Sequence, residues 1–536
     1  MKLITSALPY IHGVPHLGNI VGSILPADIY ARFCRLNGEK TIYICGSDSH
    51  GTMFEVAARD KGITPKELVY SNHEEVKKIL EKFEMQFDFY GITDSEATKE
   101  MTYHIFNKLY ENGFFEEREV ENAYCPNCKM FLADRWIEGK CPHCGGLGRG
   151  DQCDDCGSLL DPKDIIGAHC KKCMGKLEFR KTKHIFFNLP KFEPFLNEWA
   201  ASSKGWSKIA RNETLGFLKT GLKERSISRD CSWGFTIPKV GYEDKVFYVW
   251  FDAPIGYISF TKEFLKNDLE FEKWWKTNPA GKSEVELVQF MGKDNTIFHS
   301  VIFPAMLQGC HENWKLVDRI ITSGMLKTEG IKFSKSRGNG MTTPEALAKY
   351  PADYWRFALT AMYPENDDSI FTMELFKEKI NNEFADIIGN YVHRVISFCF
   401  SSYGEIPKIE NPSDKIVMEE AGGVYCQITQ SFSDCRFQEA LKHTTHYAKI
   451  SNAYFNNKEP WKLQGDEKRE VCAISGNLVR NLAIMLYPIV PTFSEEIFGF
   501  LNIDKAKVSW KDAGKFDFSG KISKSRPQVQ KIDNKK

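Results

Sequence analysis

Residues Lys2 to Ala7 form a short β-prone run, and Leu17 to Leu36 an amphipathic one whose apolar positions return every three or four residues. Thr41 to Cys45 is apolar and β-prone again. Strand, helix and strand in that order predict a βαβ unit, because parallel neighbours need a crossover between them. Open sheets of this kind take ligands at the carboxyl ends of their strands, which directs attention to the Pro-, Gly- and His-rich loop Pro9 to Gly18. From Phe115 to Trp233 the periodicity gives way to Cys, Gly and Asp, as expected of an insertion built around metal rather than a hydrophobic core. Val246 to Phe251, Glu286 to Met291 and Arg319 to Thr322 then predict buried strands that supply the second half of the sheet. Between Thr372 and Phe500 turn signals are few and the three-and-four spacing predicts a helical bundle. Lys511 to Lys536 is polar and basic and is expected as an extended tail.

At 536 residues the chain is long enough for several such units. Its 42% apolar and 26% charged residues supply cores without wholesale disorder. Formal net charge is zero, so any contact with nucleic acid must use local patches. No apolar run approaches the roughly 20 residues that span a bilayer, and no membrane partner is expected. The opening Met1 to Leu8 is too short for a secretory signal and runs at once into Pro9, Tyr10 and His12.

Cysteine is the informative element. Eight of sixteen fall in four CxxC pairs, Cys125/Cys128, Cys141/Cys144, Cys153/Cys156 and Cys170/Cys173. A two-residue gap lets both thiolates turn to one tetrahedral ion, so four pairs satisfy two zinc sites. Spacing alone leaves open whether neighbouring pairs share an ion or the inner two pairs share one and the outer two the other. Complete cysteine coordination leaves no open position, which makes these zincs structural and sends catalysis elsewhere. His143, between ligands, is a bystander. Thiols held on metal also favour a reducing compartment, the cytoplasm.

After the first strand, His16-Leu17-Gly18-Asn19 opens a helix whose free amides favour phosphate, with Gly18 permitting close approach. Far downstream, Lys332-Phe333-Ser334-Lys335-Ser336-Arg337-Gly338-Asn339 is a small cationic loop suited to polyphosphate. The pair resembles the HIGH and KMSKS signatures of class I aminoacyl-tRNA synthetases. Asn19 stands for the second histidine and Phe333 for the methionine, variants that suit the eukaryotic and archaeal branch. Lys521-Ile522-Ser523-Lys524-Ser525 fits the lysine signature equally well, but no predicted element surrounds it, so the copy at Lys332 is preferred.

Within the class, Ala7-Leu8-Pro9-Tyr10, Asp48 to Thr52, Val249 to Tyr257, Gly292 to Asn295 and Phe298-His299 are similar to active-site segments of the methionine-specific family. No long editing insertion of the valine, isoleucine or leucine enzymes is present. The resemblance implies a Rossmann-type α/β catalytic domain in two halves, 1–114 and 234–325. A zinc-bearing connective insertion (115–233) would separate them. A KMSKS-type loop and stem-contact region (326–371), a helical anticodon-binding domain (372–510) and the basic tail (511–536) would follow. By resemblance the inner cysteine pairs share one zinc and the outer pairs the other.

It also implies activation of L-methionine by ATP with Mg2+ and transfer to methionine tRNA. His16, Asn19, Lys332 and Lys335 would be catalytic, with His16, Gly18, Asn19, Gly292, Asp294 and Lys335 on ATP. Leu8, Tyr10, Trp250, Ala253, Pro254, Tyr257 and His299 would enclose the side chain, since a thioether packs well on aromatic rings. Asp48 would hold the ammonium. Asn390, Arg394 and Trp461 match anticodon-reading positions; the first two share a helix face, and Trp461 can stack on a splayed base. DNA is not an expected partner. A related zinc-using synthetase, such as the cysteine enzyme, and a silent RNA-binding relative are the competing expectations; the second would lack Lys332 or Lys335, and both are present.

Overall fold

A computed structural model describes residues 1–132, 136–150, 153, 156, 158, 160–328, 331–332, 340–409 and 412–533, with the backbone alone at 331–332. Five strands form the central sheet: β1 (Lys2–Ser6), β2 (Thr41–Ser47), β3 (Phe89–Ile92), β4 (Glu286–Gly292) and β5 (Arg319–Ser323). The order is β5-β4-β1-β2-β3 and every pairing is parallel. The chain steps outward from β1 to β3, then returns to the other side of β1. The switch point between β1 and β4 is therefore the crevice where a ligand is expected. The amphipathic run after β1 is one continuous helical stretch, Leu17–Asn19, Ile20–Ile24 and Leu25–Leu36, with a π-helical turn in its middle.

Two expectations about the sheet need correction. Only Val246–Phe247 of the run Val246 to Phe251 is a strand, and it pairs antiparallel with Ser228–Arg229 outside the sheet. Val249–Asp252 is a helical turn. All six residues are apolar or aromatic, with Tyr248 and Trp250 half-buried and the others buried, so the run has no polar face from which a period could be read. Conversely, β3 is absent from the pattern because it is four residues long and holds Gly91. A Cβ there, or at Gly46 of β2, would lie 2.4 Å from the Phe260 ring. Both glycines let helix Gly256–Leu265 settle onto the sheet.

The insertion is more than a metal centre. Phe115–Cys125 and Glu178–Phe187 form a long antiparallel ribbon, in register from Phe115↔Phe187 to Tyr124↔Glu178. At its far end Val56, Ala123, Cys125, Leu132, Trp136, Ile137, Ile165 and Cys170 make a small core. The C-terminal region is helical as expected, built on Asn390–Tyr403, Lys415–Ser433, Phe437–Lys458, Gly465–Leu486 and Pro491–Phe500. Helix Gly465–Leu486 is buried continuously from Val471 and forms its axis. One hydrophobic core runs from Ile4 and Phe290 of the sheet to Leu482 and Ile489 of the bundle. At the junction the fully buried Arg356 donates to the carbonyls of Ile489 (2.7 Å) and Pro488 (3.0 Å) and to Asp28 (2.7 Å).

The tail is extended but not loose, which corrects the expectation that nothing folds around it. Ile522 N donates to Gly404 O (3.1 Å) and Ser523 N to Phe500 O (2.7 Å). Ser525 sits against His393 Nδ1 (2.9 Å), and Gln530 N donates to the Tyr354 hydroxyl (2.7 Å). Ile522, Ser525 and Ile532 are buried. Isolated apolar residues in a polar run anchor an extended strap without producing a periodic signal. None of the helices among the described residues is long and apolar enough to cross a membrane.

Candidate active site

The loops leaving β1, β2 and β4 meet above the switch point. Ala7 N donates to Phe290 O (2.8 Å), and Tyr10 bridges Asp48 in parallel fashion. Leu8, Asp48, Trp250, Ala253, Pro254, Tyr257 and His299 line one slot, joined by Ala7, Asn295 and Phe298. Tyr10 stacks on Phe54 and meets Trp250 edge-on at 6.4 Å. Trp250 lies flat on Phe298, centroids 3.5 Å apart.

The protonation pattern follows from burial. His299 Nδ1 donates to Asn295 O (2.8 Å); a carbonyl can only accept, so Nε2 accepts from the Tyr257 hydroxyl (2.8 Å). Burial lowers the His299 pKa to about 4, so this wall is neutral. Asp48 is 2% exposed and its Oδ1 has no hydrogen-bond partner. Burial first, and the neighbouring Asp252 carboxylate second, push its pKa well above the usual carboxylate range. Burial would lower His50, but its Nδ1 donates to Asp252 and its Nε2 to Asp94 (3.3 Å), which together raise it to about 9. An imidazolium thus stands among the acids beside the slot.

His16 and Asn19 form a reciprocal cap. His16 Nδ1 accepts from Asn19 N (3.2 Å), and Asn19 Oδ1 accepts from His16 N (3.1 Å). The His16 proton therefore sits on Nε2. The π turn Ile20–Ile24 brings Gly22 against the Gly292 Cα at the end of β4, where a Cβ on Gly292 would press on Asp294 Oδ1 at 3.2 Å. Gly18 lies in the α-helical turn Leu17–Asn19 just before it. Backbone bonds join Leu17 N to Met341 O (3.1 Å) and Thr343 N to Pro15 O (3.0 Å), so the exit of the lysine loop is stitched to the histidine motif. Lys332 ends the short strand Ile331–Lys332. Its side chain, Phe333 and Lys335 lie outside the described residues.

The cysteines gather into two tetrads, Cys125, Cys128, Cys170 and Cys173, and Cys141, Cys144, Cys153 and Cys156. Outer pairs share one site and inner pairs the other. Thiolates around one zinc stand about 3.8 Å apart. Here Cys125–Cys173 is 3.4 Å, Cys128–Cys170 3.9 Å, Cys141–Cys156 3.8 Å and Cys144–Cys153 3.6 Å. Amides of Cys128 and Cys156 donate to Cys125 and Cys153 Sγ, each at 3.4 Å, as suits thiolate acceptors. Each tetrad could hold one zinc ion. His143 gives its backbone amide to Cys141 Sγ and belongs to neither tetrad among the described residues.

A family model described as "tRNA synthetases class I (M)" matches residues 2–396, and one for the "Anticodon-binding domain of tRNA ligase" matches 414–526. The probable cytoplasmic methionine–tRNA ligase of Dictyostelium discoideum is 43% identical over 99% of this chain and 73% of its own length. The chain belongs to the methionine–tRNA ligase family. The ligase of Thermofilum pendens is 39% identical over 99% of this chain and 95% of its own. Mycobacterium tuberculosis methionyl-tRNA synthetase, solved in complex with methionyl-adenylate, is 22% identical and shares the fold with TM-score 0.80 over 98% of both chains.

In this methionine–tRNA ligase family member two of the helical residues singled out from sequence, Arg394 and Trp461, meet at one ring, Phe455. Asn390 opens helix Asn390–Tyr403, directly after the π-helical segment Lys379–Gly389. Arg394, one turn on, donates to Asn452 (3.3 Å) and Asn456 (2.7 Å) and lies 5.6 Å over the Phe455 ring. Trp461, 50% exposed, meets the same Phe455 edge-on at 6.2 Å. Sequence reasoning missed Phe455, Asn452 and Asn456, which no motif marks. It quoted the segments that hold His50, Asp252, Asn295 and Phe298 but gave those residues no role. Asp94 was out of reach because β3, which it follows by two residues, left no pattern.

Proposed function

We propose that the chain activates L-methionine with ATP to methionyl adenylate and pyrophosphate, then transfers the methionyl group to the 3′-terminal adenosine of methionine tRNA. The observation that carries this reading is Asp48 Oδ1, buried without a partner in a slot walled by Leu8, Trp250, Pro254, Tyr257 and neutral His299. A lone acid in an apolar aromatic slot suits a substrate with one ammonium and a short, polarizable side chain. Tyr10 and Ala253 complete the enclosure.

A methionine carboxylate oxygen bonds to the α-phosphorus as that atom's bond to the bridging oxygen breaks, and the electron pair leaves with pyrophosphate. No protein nucleophile takes part. Positioning and charge stabilisation supply the rate, so His16, Asn19, Lys332 and Lys335 act on the phosphates as charge develops. Gly18 allows their close approach. Gly292 and Asp294 seat the adenosine and its ribose. Mg2+ accompanies ATP and neutralises phosphate charge when bound. The ribose hydroxyl of tRNA then attacks the activated carbonyl, and AMP departs.

The two tetrads bind structural zinc and fix the insertion. Asn390, Arg394 and Trp461 read the anticodon. We divide the chain accordingly at residues 115, 234, 326, 372 and 511, and assign the enzyme to the cytoplasm. Pyrophosphate exchange with each of the twenty amino acids tests the central reading: methionine alone should support it, and exchange with cysteine instead would reject it. Trp461→Ala should cut aminoacylation efficiency about 5- to 150-fold, the worth of one stacked base, while exchange without tRNA stays intact. A parallel fall in exchange would make Trp461 a packing residue.

A further inference from the structure

Helix Thr52–Lys61 begins just past the turn Ser49–Gly51 that follows Asp48, and Val56 on it belongs to the core of the insertion. Between these two attachments lies Glu55, 9% exposed. Its Oε2 accepts from Trp136 Nε1 (3.1 Å), and its Oε1 from Ser232 N (2.7 Å) and Ser232 Oγ (2.6 Å).

Each partner leads somewhere definite. Trp136 packs with Cys125 and Cys170 of the outer tetrad, and its carbonyl accepts from Lys171 N (2.9 Å), the residue after Cys170. Arg59, one turn along the helix, stacks on the same indole at 4.8 Å. On the other side, Trp233, next to Ser232, donates Nε1 to Ser49 O (2.6 Å) and meets the His50 ring edge-on at 5.8 Å. The Trp233 carbonyl also accepts from Gly51 N (3.5 Å). One carboxylate therefore joins the metal knuckle to the backbone that presents Asp48.

We infer that Glu55 is a positioning residue for methionine: it locks the knuckle of Cys125, Cys128, Cys170 and Cys173 to the Ser49–Gly51 turn and so fixes where Asp48 meets the substrate ammonium. This rests on the role given to Asp48 under the proposed function. Glu55 is not among the residues lining the slot and works only through Ser232, Trp233 and the turn. Its loss should register in amino-acid binding before it registers in the chemical step.

The test uses the full-length protein with Glu55→Gln and, approaching the same bond from the other side, Trp136→Phe. Glutamine keeps one acceptor oxygen and sets an N–H2 group against donors; phenylalanine removes the indole N–H and part of the ring, and the zinc readout reports whether the core around Cys125 and Cys170 has suffered. Four quantities are read: the methionine Kd by equilibrium dialysis, KM for methionine and for ATP in pyrophosphate exchange, kcat, and zinc per chain. Each variant should weaken methionine about 5- to 30-fold, as for one lost buried hydrogen bond, with the KM for ATP and kcat within about twofold and zinc still near two per chain. The double variant should cost less than the product of the single effects, because both break one contact. An unchanged methionine Kd in both variants overturns the proposal. So does a uniform decline of every parameter with zinc loss, which marks Glu55 as a general structural residue. Asp48→Asn runs in the same assay. If it binds methionine like the wild type, the Asp48 assignment itself falls and takes this inference with it, a result distinct from failure of the Glu55 link alone.

Discussion

Asp48→Asn should raise the KM for methionine by about 10²- to 10³-fold while the KM for ATP stays within about twofold, because it deletes one partner of a buried charge pair. The electrostatics around Asp48 show the reason. Burial and the Asp252 carboxylate hold the Asp48 carboxyl above the ordinary range, with imidazolium His50 the counter-charge beside it and Asp94 behind. On the role proposed for Asp48, a substrate ammonium would restore the balance by pairing with the ionised form. Methionine uptake would then expel a proton from Asp48, so that affinity is full above the raised pKa and declines as pH falls through it. Steady-state KM followed as a function of pH should carry that acidic limb in the wild type and lose it in Asp48→Asn. A variant that keeps the wild-type KM would show that another group meets the ammonium.

Lys335→Ala should slow adenylate formation by about 10²- to 10³-fold, the usual loss when one donor aimed at developing phosphate charge is removed, with methionine binding nearly unchanged. Lys524→Ala, the matching change in the second copy of the motif, should leave adenylate formation as it was. The surroundings separate the two lysines. The segment holding Lys335 enters from the strand Ile331–Lys332, which pairs with Leu326–Thr328, and leaves through Met341 to Thr343, bonded to Pro15 and Leu17 beside His16. Lys524 is exposed on a strap between Phe500 and Gly404, with Ser525 turned in against His393 and Ser397. Single-turnover formation of methionyl adenylate decides between them, and impairment of the Lys524 variant instead would reverse the assignment.

The readable parts of this chain are those where local chemistry admits one answer. Cysteines separated by two residues, with Pro, Gly and Lys around them, have no apolar host, and they formed metal-ready tetrads. Their pairing was open to spacing because it depends on the ribbon that folds Cys125 back beside Cys173. The run Leu17 to Leu36 announced a helix, yet the π turn at Ile20–Ile24, set by how Gly22 meets Gly292, is a tertiary matter. The same limit explains Val246 to Phe251, where six apolar or aromatic residues in a row show no period. In the slot, Asp48 and the aromatics were legible through the segments they occupy. The His50–Asp252 contact was not, since it joins residues 202 apart through burial that no spacing reports.

The central place of β1 in the sheet has a consequence for synthesis. Its neighbour on one side, β2, pairs Thr41 with Lys2 and leaves the ribosome almost with it, but its other neighbour pairs Glu286 with that same residue. At about 5 to 20 residues per second the nascent chain waits roughly 15 to 60 s for that partner. Throughout the interval one edge of the innermost strand is open, the condition under which unpaired strands recruit wrong partners. The crevice between β1 and β4 can form only after the whole insertion has been made. Delay in the insertion's own folding should therefore appear as aggregation of a chain whose N-terminus is already long complete.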